Sequence, residues 1–157
     1  MRPTDFIATA KDLVSNTRGR PRETNLRRAV STTYYALFHT IATCCANTLV
    51  GGPNSKRSEN AWAQVYRALD HRQAKNRCRN QETMGKFPNE IQDFADRFVD
   101  MQFKRHEADY NPEAQFNKDE VVQDIADAEY QLDRFAEAPR SDRRAFAVYM
   151  LMPMRRS

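Results

Sequence analysis

From Glu23 to Leu49 the chain runs without a glycine or proline and then meets Gly51-Gly52-Pro53, as strong a breaker as the sequence contains. At 100° per residue, Val30, Leu37, Ile41 and Cys44 fall on one line of this segment, flanked by Tyr34, Phe38 and Cys45. The opposite line holds Arg28, Thr32, Tyr35, His39, Ala42 and Ala46. The second half is therefore apolar nearly all round. That pattern predicts a helix at the centre of a bundle or at a subunit interface.

The rest of the chain keeps the same period. Apolar stripes at three- and four-residue spacing predict helices over about Thr4 to Asn16, from Ser58 through Leu69, after Pro88 to about His106, and over Lys118 to Ala136. A short helix over 141–152 follows, with Ser141 as its cap. With only four glycines and no alternating β-branched run, a sheet is excluded. The expectation is one all-α domain over residues 1–157, with a basic loop at 71–81.

No stretch reaches the roughly 20 apolar residues of a membrane span. The N-terminal segment places Asp5 and Asp12 where a signal peptide would be apolar. Cys44, Cys45 and Cys78 are odd in number and lack metal-ligand spacing, so a reducing cytoplasm is expected, with no metal and no cofactor. Charge is unevenly spread. Residues 1–80 hold 14 Lys/Arg against 5 Asp/Glu, a net of +9, and residues 81–157 hold 11 against 16, a net of −5. A basic half either meets a polyanion or is simply solvated.

Three groups of residues carry candidate chemistry. Ile91, Phe98, Gln102 and Arg105 lie within about 60° of one another, so Arg105 continues a core stripe and needs a partner. A pair with Asp109 or Glu107 that fixes the following turn would satisfy it, and so would a bound phosphate. His106, one residue on, serves either as acid/base or as a charge against the helix end. Arg28, Tyr35 and His39 share the second line of the long helix, although Arg27 and Arg28 are adjacent and one of the two is expected on the surface. Arg72, Lys75, Arg77 and Arg79 form the basic loop. With no aromatic between them, they would contact phosphates only, in a salt-sensitive way.

"RRAVSTTYYALFHTIA" (Arg27 to Ala42) and "RHEADYNP" (Arg105 to Pro112), in this order and spacing, resemble HEPN-domain proteins, and "DRRAFAVYMLM" resembles their closing helix. The resemblance implies an up-and-down bundle of four to five helices, usually a homodimer. Many such proteins are metal-independent ribonucleases of toxin–antitoxin or defence systems. Others are non-catalytic partners of nucleotidyltransferases, or bind RNA or nucleotides. By that resemblance Arg105 would steady the scissile phosphate; the His role has no matching position, so His106 or His39 would have to supply the acid/base through space, and Arg28, Tyr35, Asp109 and Tyr110 are the candidate ligand-site residues. In the nucleases a His follows the Arg after four to six intervening residues; here Asp109 and Tyr110 stand in that region and no His follows. A dimer interface is expected along Tyr35, His39, Ala42 and Ala46, or on the fourth predicted helix near Arg105.

Overall fold

The computed structural model describes residues 2–15, 19 and 21–155, and every regular element among them is helical. The helices are α1 Pro3–Ser15, α2 Glu23–Leu49, α3 Glu59–Ala68, α4 His71–Arg79, α5 Gln81–Met84, α6 Asn89–Tyr110, α7 Lys118–Glu137 and α8 Arg140–Leu151. None is long and apolar enough to cross a membrane.

The long apolar helix is the hub of an all-α bundle. α1, α3, α6, α7 and α8 all pack on α2. Its buried residues include Val30, Tyr34, Leu37, Phe38, Ile41 and Cys45 on one side and Ala42 and Ala46 on the other. Ala42 and Ala46 are wholly covered within the chain, so they face no second subunit, and that part of the expected interface line is corrected. Cys44, Cys45 and Cys78 are free and buried, and burial pushes their thiols up to about 11, 12 and 12. They serve as small apolar core residues. The helix ends where expected, because Gly51 takes φ +152° and a Cβ there would lie 2.5 Å from Ser55 Oγ.

Three boundaries differ from the sequence reading. The stretch 71–81 is not a loop but α4 and the start of α5. Asp70 caps α4 by accepting from Gln73 N at 2.8 Å, and Ala74 and Cys78 bury one face. The last helix starts at Arg140 after Pro139 with no side-chain cap, so Ser141 lies inside it. α6 also runs one turn beyond His106, to Tyr110.

Ion pairs tie α6 to α7: Lys104 Nζ lies 2.8 Å from the buried carboxylate of Asp124, Arg97 3.3 Å from Asp127, and Arg134 meets Asp93. α6 thereby presents its C-terminal turns to α2 on a fixed base.

Candidate functional site

Arg105 does point inward. Its side chain is 17 % exposed and lies between α6 and α2. The guanidinium sits 5.4 Å from the ring centroid of Tyr34 and 5.5 Å from that of Tyr35. One terminal nitrogen donates to the Tyr35 hydroxyl at 3.1 Å. Asp109 Oδ2 is 3.1 Å from Nε, near enough for charge pairing, but the buried N–H is not aimed at it and makes no hydrogen bond. A guanidinium has five N–H donors. Among the described residues this one uses a single donor in a hydrogen bond.

Two openings flank this cation. One, of about 560 Å³, is lined by Arg27, Arg28, Ser31, Tyr35, Asp109 and Tyr110, with Thr24, Thr32 and Ala108 at its border. The other, of about 260 Å³, is lined by Lys75, Gln102, Phe103, Arg105 and His106. The fold therefore brings Arg28, Tyr35, Asp109 and Tyr110 together on one side of Arg105, and His106 with Lys75 on the other. His106 is exposed, its ring 5.0 Å from that of Tyr110.

His39 lines neither opening. It lies 11 residues beyond Arg28, about 16 Å along the helix axis at 1.5 Å per residue. Its Nδ1 is engaged by the Tyr66 hydroxyl and its ring stacks on Phe6 at 4.8 Å. The structure thus separates it from Arg105 by the Tyr35 ring, whose centroid is 6.1 Å away.

The histidine beside Arg105 is His71, which the sequence reading placed in a loop. It stacks on Phe38 at 3.8 Å, and its carbonyl accepts from Gln102 Nε2 at 3.0 Å. Its Nδ1 lies 2.5 Å from the Tyr34 hydroxyl. Burial raises the Tyr34 pKa and keeps the phenol protonated, so we assign Tyr34 as the donor and Nδ1 as the acceptor. Burial and the neighbouring Arg105 charge both lower the His71 pKa, and burial lowers that of His39. Both imidazoles are therefore held neutral.

A sign follows for stability. The folded state binds these two protons less readily than the unfolded chain does, so their contribution is complete above about pH 6.5 and declines as pH falls below it. Thermal unfolding across pH 8 to 5 is expected to show the melting temperature dropping through this window. His71→Phe, which keeps the stack on Phe38, is expected to shrink the drop. An unchanged pH profile in that variant would refute the assignment.

The basic residues of α4 divide between its faces. Arg72, Lys75 and Arg79 lie within about 60° of one another, and Arg77 is more than 100° away. Arg77 donates to the carbonyls of Tyr149 at 2.5 Å and Met152 at 3.2 Å, and its own carbonyl accepts from the Tyr149 hydroxyl at 2.8 Å. It is a clamp on the C-terminal end of α8, where a cation also meets the helix dipole, and is not free for phosphate. Lys75 and Arg79 lie 5.5 and 5.7 Å from the ring centroid of Phe103. The aromatic absent from the stretch itself is supplied by α6.

Arg27 is the residue that pattern reading undervalued. It donates to the carbonyls of Ala108 at 3.0 Å, Asn111 at 2.8 Å and Ala114 at 2.5 Å, and its guanidinium lies 5.4 Å from the centre of the Phe116 ring. The signal was present, since Arg27 stands one turn before Val30 and two before Tyr34 on the buried face. Arg28 is the exposed one of the pair.

No group of three or more His, Cys, Asp or Glu among the described residues could hold a metal ion. Comparisons with protein families, with curated proteins and with solved structures return no match to this chain.

Proposed function

We propose that this chain is a HEPN-like helical module that binds RNA or nucleotides through the surface around Arg105, as a homodimer and without turning them over. The observation that carries the reading is the state of Arg105: a guanidinium oriented by two tyrosine rings, with one donor used in a hydrogen bond among the described residues. Such a preset fork suits phosphate oxygens. Around it, Arg28, Lys75 and Arg79 enter no ion pair among the described residues, while Asp93, Asp124 and Asp127 pair with Arg134, Lys104 and Arg97. Lys75 shares the smaller opening with Arg105, and Arg28 lines the larger one with Tyr35.

Binding is favoured over cleavage by the histidines. A metal-independent ribonuclease needs a base within hydrogen-bond reach of the attacking hydroxyl. His39 Nδ1 is engaged by Tyr66 and His71 Nδ1 by Tyr34. His106 rests on Tyr110 in solvent with no carboxylate to orient it among the described residues. The toxin–antitoxin or defence setting, and an antitoxin or nucleotidyltransferase as partner, rest on the HEPN resemblance alone.

The purified protein is expected to bind short single-stranded RNA in EDTA and leave it uncut. Its affinity should fall steeply as salt rises, because phosphate contacts release counterions. Absence of binding at low salt sinks the reading; cleavage that Arg105→Ala removes would replace it with the nuclease.

A further inference from the structure

The smaller opening beside Arg105 has features that phosphate binding leaves unexplained. Phe103 belongs to α6, whose other phenylalanines, Phe94 and Phe98, are fully buried, yet it is 50 % exposed. It is not a stray surface residue, because Lys75 and Arg79 of α4 are gathered on it. Next to it Gln102 is 9 % exposed and oriented. Its Nε2 donates to the His71 carbonyl at 3.0 Å, which fixes the amide, and its Oε1 is left buried with no hydrogen-bond partner. Buried polar atoms without partners are uncommon in native structures, and each calls for an explanation. Here the orphan is an acceptor belonging to a side chain that lines a cavity.

We propose that this opening takes one unstacked base of a single-stranded RNA, stacked against Phe103 with Gln102 at the wall of the opening. The inference rests on the RNA-binding reading and adds to it a part that recognises bases. At about 260 Å³ the opening falls below the roughly 300–1,000 Å³ of clefts that enclose drug-sized ligands. It suits one ring system and leaves the ribose and phosphates outside. There Lys75, Arg79 and Arg72 meet them from α4 and Arg105 from α6. An exposed aromatic flanked by cations is the arrangement by which single-stranded nucleic acids are held, since every base offers a π-face and the backbone offers charge. A duplex would keep its bases stacked and could not use the opening.

The test compares RNA oligomers of equal length and charge, one series carrying bases and one with an abasic ribose-phosphate backbone. Base-bearing oligomers are expected to bind about tenfold more tightly or better, the scale that stacking on one aromatic side chain supplies. Phe103→Leu is expected to erase the difference and Phe103→Tyr to keep it, and the exposure of Phe103 makes both substitutions benign for folding. Equal binding of the two series, or a difference that survives Phe103→Leu, overturns the base pocket and leaves phosphate binding standing. Failure of both series to bind overturns the pocket together with the function proposed above.

Discussion

Arg27→Ala is expected to lower the unfolding free energy by about 2–4 kcal/mol, while Arg28→Ala, one residue away, changes it by no more than about 0.5 kcal/mol. The contrast comes from what each guanidinium touches. Arg27 serves the carbonyls of Ala108 and Asn111 at the end of α6 and that of Ala114 in the connection to α7. The last carbonyls of a helix lack intrahelical partners, and a cation there also meets the negative end of the dipole. Charge-assisted hydrogen bonds contribute about 1.5–3 kcal/mol each, but water would reach some of the freed carbonyls, so the total stays well short of additive. Loss of packing on Phe116 belongs to the same deficit. Arg27→Lys supplies one point charge in place of a fork and is expected to recover less than half of the loss. Urea unfolding of the three variants decides it. Equal midpoints for Arg27→Ala and Arg28→Ala would show that the clamp contributes nothing.

The helix-end clamp also shows what the sequence could and could not disclose. The bundle was legible because each main helix carries an apolar stripe of the right period, and the all-round apolar α2 could only be central. The position of Arg105 on the core side of α6 was legible by the same rule. Asp109, one turn on in the same helix, was legible as a partner, but the rings of Tyr34 and Tyr35 were not, because periodicity orients a side chain relative to its own helix and says nothing about which other helix it meets. Hence the turn after α6 was expected to be fixed by Arg105 with Asp109 or Glu107. The Arg105–Asp109 pair is present, and Arg27, 81 residues before Ala108, adds a second clamp from another helix. α4 was missed because seven of the nine residues from His71 to Arg79 are polar or basic, and two small buried residues, Ala74 and Cys78, are a faint stripe. With α4 read as a loop, His71, the cations on Phe103 and the orphaned acceptor of Gln102 were all out of sight.

Because Arg27 also holds the helix end, the Arg105–Asp109 pair is not its only fastening. Arg105→Met is therefore expected to reduce RNA affinity at least about tenfold, or about 1.4 kcal/mol, with a stability loss smaller than that of Arg27→Ala. Methionine keeps an unbranched apolar side chain beside the Tyr34 and Tyr35 rings, where the guanidinium lay, so the substitution removes charge and donors while filling most of the space. What remains behind is benign: the Tyr35 hydroxyl borders the larger opening and can turn to water, and Asp109 is exposed. Arg105→Lys keeps the charge but loses the planar fork that stacks on the two rings, so it is expected to restore only part of the affinity. The salt dependence separates the two roles further. If Arg105 neutralises a phosphate, the slope of log affinity against log salt becomes shallower by roughly 0.7–0.9 in Arg105→Met, and Arg105→Lys returns it toward the parent value. A purely structural Arg105 predicts the reverse pattern, with a melting temperature that falls, an affinity that holds and a salt slope that does not move.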